Sequence, residues 1–164
     1  MRWTLRALAA VGVLAICSGY ATAQGVVMQP NMSLEMAKTI AEAALEECRS
    51  GGFNTAVVVV DRAGQPIVMM RSEQATAQMM EMARRKAYTA RMFRTRTLDF
   101  QERTAANPVL TPQRDVAGIL ALGGGVPIRL GDETIGGVGS SGSNQETDDA
   151  CAQAGVDAVA DSLR

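Results

Sequence analysis

Apolar residues recur at helical spacing from Leu34 to about Arg49. Ala37, Ile40, Ala41, Ala44, Leu45 and Cys48 share one face, with Lys38, Glu42, Glu46 and Glu47 mostly off it. Ser33 reads as the N-cap and Gly51-Gly52 as the left-handed stop. From Phe53 to Val60 the period is lost. The run Ala56 to Val60 has no polar alternation, which predicts a strand covered on both faces. Asp61-Arg62-Ala63-Gly64 reads as a turn, and Gln65 to Arg71 returns as the second strand of a hairpin. Helical spacing resumes from about Ala77 to Arg94. Met79, Met80, Ala83, Ala87, Ala90 and Phe93 lie on one side of this helix, and Glu81, Arg84, Arg85 and Arg91 on the other. Thr95 to Ala106 predicts a short helix plus loop. Asn107-Pro108 and Thr111-Pro112 punctuate a long connection, and the apolar run Val116 to Leu122 fits a strand or an inner turn.

Gly123 to Ser143 holds eight of the sixteen glycines. Val126 to Leu130 predicts a strand, Gly131-Asp132 a turn, and Thr134 to Val138 a second strand. Gly139-Ser140-Ser141-Gly142 predicts a loop before the last helix. Glycines at 136, 137, 139 and 142 allow close approach to the backbone by a ligand, a neighbouring subunit or a packed helix. Ser143 and Glu146 form a capping-box pattern opening a helix to Leu163, with Cys151, Ala154, Gly155, Ala158 and Val159 as a face of mostly small residues. The order α-β-β-α-(loop)-β-β-α predicts an α+β domain: one antiparallel sheet of two hairpins with helices packed on it.

The first residues alter the composition. Arg2 and Arg6 precede an apolar run, Ala7 to Ile16, and a small-x-small site at Ala21-Thr22-Ala23. This is the pattern of a signal peptide over residues 1–23, cleaved near Ala23, and the run is too short to span a bilayer. The expectation is a periplasmic or secreted single domain over residues 24–164. Removing two arginines leaves 14 basic residues (16 less two) against 17 acidic ones, a net charge of about −3. An acidic chain with few aromatics argues against nucleic-acid binding. Cys48 and Cys151 remain, and an oxidising compartment leaves a disulfide and two buried thiols both open. If the first and last helices lie antiparallel on one sheet face, the ends carrying these cysteines meet.

The chain has no histidine. That removes Ser-His-Asp and Cys-His triads, histidine general bases and almost all zinc catalysis. No catalytic constellation emerges. Asp61, Glu73, Asp148 and Asp149 are the carboxylates near the loops, but sequence spacing does not pair them. Met69, Met70, Met79, Met80 and Met82 form a methionine-rich zone, read either as core or interface or as a soft lining for haem or copper(I). Met79 and Met80 are the metal-ligand candidates. Arg84, Arg85, Lys86 and Arg91 surround Tyr88 on the second helix, as a solvated face or as partners for carboxylates. The Gly139–Gly142 segment lacks the Gly-Lys-Ser/Thr of a phosphate loop, and either an anion role or a tight turn accounts for it.

The blocks VVVVDRAGQPIVMMR (57–71), ARRKAYTA (83–90), GGVPIRLGDETIGGVGSSGS (124–143) and DDACAQAGVDAV (148–159) resemble the GlcG/HbpS-like family. This is the haem-degrading or haem-binding family that includes the C-terminal domain of the PduO cobalamin adenosyltransferase. The resemblance covers essentially all of the chain after residue 23. It implies a profilin-like α+β domain, a homo-oligomer, often an octamer, and haem or a related tetrapyrrole as first ligand candidate. Weak haem degradation is left open. Some haem-binding relatives use an axial histidine, so any axial ligand here would be Met, Tyr, Cys, Lys or an oxygen. Lys86 aligns with the lysine of the family's KA-x-TA pattern. The expected ligand wall is Lys86, Tyr88, Met80 and Arg71 with Gly124, Gly125, Val126, Ser140, Ser141 and Gly142. The alternatives are an enzyme acting on a small organic acid, with Lys86 or a loop carboxylate handling protons, and a structural or regulatory oligomer.

Overall fold

The computed structural model describes residues 25–164, so the signal-peptide pattern lies outside the described residues. The elements are α1 (Leu34–Ser50), β1 (Ala56–Val60), β2 (Pro66–Arg71), α2 (Ala77–Phe93), α3 (Thr97–Ala106), β3 (Gly125–Leu130), β4 (Glu133–Ser141) and α4 (Gln145–Asp157). Short 3-10 turns cover Thr111–Asp115 and Ala160–Leu163. The four strands form one antiparallel sheet in the order β2-β1-β4-β3, so the two hairpins meet along β1 and β4. The fold is α+β, as the element order predicts.

The sheet is a filling between two helix layers, which explains the unbroken apolar run of β1. All five of its residues are buried. Val57 and Val59 face α1 and α4, in a cluster with Ile40, Ala44, Val126, Ile128 and Val138. Ala56, Val58 and Val60 face α2, against Ala83 and Ala87. Alternate side chains of a strand point to opposite faces, so a central strand covered on both sides has no place for polar alternation.

The Gly123–Ser143 region differs from its sequence reading in two respects. β4 continues through Ser141, with Gly139, Ser140 and Ser141 paired to Val58, Val57 and Ala56. The backbone there is committed to a strand ladder, so no anion-holding loop forms from it. Gly125, Gly137 and Gly139 are explained by a packed helix, one of the alternatives the sequence left open. A Cβ on Gly139 would lie 2.1 Å from the Ala83 carbonyl oxygen and 2.6 Å from the Ala87 nitrogen, and one on Gly137 would lie 2.4 Å from the Ala87 carbonyl oxygen. The α2 backbone rests directly on β4. Gly139→Ala is therefore expected to cost at least about 1–3 kcal/mol, the range for overpacking a core, seen as a lower urea midpoint. A change under about 0.5 kcal/mol, the usual effect of a neutral surface site, would contradict this contact.

The stop of α1 is the expected one, while both ends of α4 depart from expectation. α1 stops in a Schellman arrangement, with Gly52 at φ +83°, the Phe53 N–H on the Cys48 carbonyl and the Gly52 N–H on the Arg49 carbonyl. The cap of α4 is Asn144, whose Oδ1 accepts from the Thr147 N–H at 2.8 Å. Ser143 lies one residue earlier, and its hydroxyl donates to Asp148 instead. α4 ends at Asp157, so its buried face is Cys151, Ala152 and Gly155, while Ala158 is exposed. α1 and α4 run antiparallel on one sheet face. Gly155 abuts Ile40 and Ala44, and Cys48 and Cys151 are joined in a disulfide across the same seam. Val116 to Leu122 forms no strand. Arg85 donates to the Ile119 carbonyl, and the Leu120 N–H donates to the Thr89 hydroxyl, which holds this segment on α2.

Candidate functional site: a closed polar cluster and an open amphipathic cleft

The expected ligand wall separates into two places. Lys86, Gly124, Gly125 and Ser140 do converge. Lys86 is buried in the last half of α2, facing the β3 entry. Its ammonium donates to Asp148 Oδ2 at 2.7 Å and to the Ser140 carbonyl at 3.0 Å. Asp148 Oδ1 accepts from the Ser143 N–H at 3.1 Å and the Ser143 hydroxyl at 2.7 Å. The Gly124 carbonyl accepts from the Ser140 N–H at 2.8 Å, and the Gly125 N–H donates to the Thr97 hydroxyl at 2.8 Å.

This cluster is filled by the protein's own atoms. A Cβ on Gly124 would lie 2.7 Å from Asp148 Cβ and 2.9 Å from the Lys86 Nζ. Lys86 is 2% exposed and Asp148 3%. Burial holds the Lys86 ammonium below its ordinary range, and Asp148 and Asp149 pull it back up. A pair this enclosed ties α2 to the start of α4 and does not meet a solvent-borne substrate. Asp148 is one of the four carboxylates that sequence spacing left unpaired. Its neighbour Asp149 is buried against Arg96, with its Oδ1 unpartnered among the described residues.

The other expected residues lie elsewhere. Met79 and Met80 pack on the α2-side core. The ring of Tyr88 lies between Gly64 and Gly118, close enough that a Cβ on either would meet it. Val126 is core on the α1 side. Ser141 is in the ladder opposite Ala56, and Gly142 passes the Asn54 carbonyl. The four cations of α2 point four ways: Arg84 to Glu81, Arg85 to Ile119, Lys86 to Asp148, and Arg91 toward the hairpin turns. Arg84, Arg85 and Lys86 are successive residues about 100° apart around the helix, and Arg91 lies about two turns beyond Arg84, so the four do not form one cluster.

Arg71 belongs to a cleft that the sequence did not single out. Between α1 and the edge strand β2 lies a depression of about 290 Å³ with Leu45, Phe53 and Met70 as its apolar wall and Glu42, Glu46, Glu73, Arg49 and Arg71 as its charged residues, Arg49 being paired to Glu46. Met70 pairs with Val57 and so faces α1. The Schellman turn places Phe53 at the mouth, 37% exposed. Arg71 Nη1 donates to the Ala75 carbonyl at 2.7 Å, which holds the guanidinium over the loop after β2. The signal available in sequence was Leu45, a helix-face residue next to the stop glycines, followed by an aromatic.

These residues fit a tetrapyrrole only in part. An apolar floor, one thioether and the Arg71 guanidinium suit one edge of a flat ring with a carboxylate, while Glu42, Glu46 and Glu73 oppose a second carboxylate there. The volume is at the low end of ligand pockets, roughly 300–1,000 Å³. The cleft thus takes one edge of such a ring and leaves the remainder outside. No imidazole exists to ligate iron.

A four-stranded antiparallel sheet between an α1–α4 layer and α2 defines a small α+β domain of known type. The chain belongs to the HbpS-like family: the model described as haem degrading protein HbpS-like matches residues 32–157. It is 33% identical over 135 residues to an uncharacterized 15.0 kDa protein from the dhaT-dhaS intergenic region of Citrobacter freundii, covering 77% of this chain and 90% of that one. It superposes on a double mutant of HbpS from Streptomyces reticuli with a TM-score of 0.78 and 30% identity, covering 87% of this chain and 97% of that one. A haem complex of PduOC superposes with a TM-score of 0.70 and 27% identity, covering 77% of this chain and 94% of that one.

Proposed function

We propose that this protein binds haem or a related tetrapyrrole edge-on in the α1–β2 cleft. The observation that carries the reading is the coincidence of family and surface. A family described by haem degradation, and a similar structure solved with haem, meet a cleft that sets the Arg71 guanidinium beside an apolar wall. Leu45, Phe53 and Met70 would cover the ring, Arg71 would pair with a propionate, and Met70 would be the thioether available to iron. Bound haem would supply iron redox chemistry, and this chain's residues would hold and orient it.

We also propose export, which rests on the basic-apolar-small pattern of residues 1–23 together with a disulfide that persists in an oxidising compartment. Among the described residues no helix is long and apolar enough to cross a membrane. Assembly into a homo-oligomer is consistent with the edge strand β2, where Met69 is 47% exposed. Light scattering on the disulfide-bonded protein would give a mass several times that of one chain.

Titration with hemin is expected to give a saturable, red-shifted Soret band. Arg71→Ala and Met70→Ala should each weaken binding about tenfold, as loss of one charge-assisted or packed contact does. Lys86→Met should leave hemin affinity unchanged if the variant remains folded. Binding that ignores both cleft substitutions would overturn the placement, and absence of any saturable band would overturn the haem reading.

A further inference from the structure

At the end of the sheet away from that cleft, three arginines converge. Arg62 follows β1 in the hairpin turn, Arg91 lies in the last turn of α2, and Arg94 caps that helix. Arg94 sits at φ 55°, a left-handed conformation uncommon outside glycine. All three line a cavity of about 200 Å³ with Asp132, Glu133 and Thr134. Arg62 and Arg91 also border a shallower neighbouring space with Asp61.

Of the three carboxylates nearby, Glu133 and Asp61 are engaged and Asp132 is in no ion pair among the described residues, so the three arginines exceed the two carboxylates that line the cavity by one charge. Arg62 Nη1 donates to Glu133 Oε2 at 2.6 Å, and Asp61 Oδ1 accepts from the Gln65 N–H at 2.8 Å. Among the described residues neither the Arg91 nor the Arg94 guanidinium has a partner within hydrogen-bond distance. Arg91 Nε is buried without an acceptor, and so is the Thr134 hydroxyl, whose residue is 6% exposed. Burial, with Arg62 and Arg94 as like-charged neighbours, pushes Arg91 below its ordinary range. Proteins rarely leave buried donors unpaired. Here two unpaired polar groups and a surplus of positive charge border one small cavity.

We propose that Arg62, Arg91 and Arg94, with the Thr134 hydroxyl, form a binding site for a compact oxyanion: a phosphate or sulfate group, or a small carboxylate. Such a ligand accepts hydrogen bonds from the Arg91 Nε, the free guanidinium edges and the Thr134 hydroxyl, and offsets the repulsion among the arginines. The cavity is too small for a tetrapyrrole. Asp61 and Arg71 flank opposite ends of the β1 register, so the site is separate from the haem cleft and does not depend on it.

The test is thermal unfolding and calorimetric titration of the disulfide-bonded protein with phosphate, sulfate and succinate, at ionic strength held constant with chloride. At least one anion is expected to bind with saturable one-to-one stoichiometry and to raise the midpoint by about 5–10 °C at roughly 100 times its dissociation constant. Response to phosphate and sulfate alone identifies a tetrahedral ligand, and response to succinate alone a carboxylate. Arg91→Gln should abolish the response without lowering the anion-free midpoint, since it removes a like charge. Arg94→Gly, which suits the left-handed backbone, should weaken binding at least tenfold and serves if the first variant does not fold. The site is refuted if no anion gives a saturable response, or if both substitutions leave the response intact.

Discussion

Replacing Lys86 by methionine is expected to destabilise the protein by about 3–5 kcal/mol, the cost of leaving a buried charge without its partner. Asp148 keeps the Ser143 N–H and hydroxyl, but loses the ammonium that neutralises it. The second substitution in the cycle separates charge from packing. Lys86→Met with Asp148→Asn keeps an acceptor for Ser143 and removes both charges, so it should recover most of the loss. Urea unfolding of the four proteins measures this. A single variant that costs under about 1 kcal/mol, or a double variant no better than the single, would show the pair to be incidental. The pH dependence has a defined sign. Burial puts the folded Lys86 below its unfolded value of 10.5, so between the two the unfolded chain binds more protons. Stability from this group therefore rises with pH through that alkaline window. The wild type should gain on the double variant as pH rises there.

The second large effect is expected on opening the Cys48–Cys151 disulfide. It spans 103 residues of chain. In the chain-entropy model a loop of about that length contributes up to about 4.7 kcal/mol, and removal of native disulfides typically costs 2–5 kcal/mol. Cys48→Ala with Cys151→Ala should lower the urea midpoint accordingly, and a reductant should lower that of the wild type while leaving the variant unchanged. Two free thiols counted in denatured, non-reduced protein, or indifference of the wild type to reductant, would defeat the prediction. The fold itself should survive, because Gly155 still packs on Ile40 and Ala44 along the same seam.

Much of the architecture was legible one residue at a time. The 3.6-residue spacing of Ala37, Ile40, Ala41, Ala44, Leu45 and Cys48 marked a buried helix face, and all are buried except Leu45, which is half-buried at the cleft. The unbroken run Ala56 to Val60 announced a strand covered on both sides, and both sides are covered. Local errors arose where two short-range signals competed. Ser143 with Glu146 imitates a capping box, yet Asn144 takes the cap and Ser143 turns to Asp148. Gly139 to Ser141 has loop composition but pairs in the sheet, because long-range ladder partners on β1 override local preference.

The candidate site was less legible for the same reason. Lys86 could be singled out from its match to the family's KA-x-TA pattern, but not the fact that Asp148, 62 residues on, encloses it. Helical rotation scattered the apparent cationic cluster of α2, while Arg62, Arg91 and Arg94 came together from different segments. The cleft joins Leu45 and Phe53 to Met70 and Arg71 across a helix–strand edge that no spacing encodes. By itself the sequence determined the elements, their order, the buried faces and the exclusion of histidine chemistry, since these depend on periodicity and composition. Only the tertiary structure decided that the Gly123–Ser143 stretch is a packing surface for α2. Whether a glycine admits a ligand or a helix depends on what occupies the space opposite, and distant parts of the chain supply it.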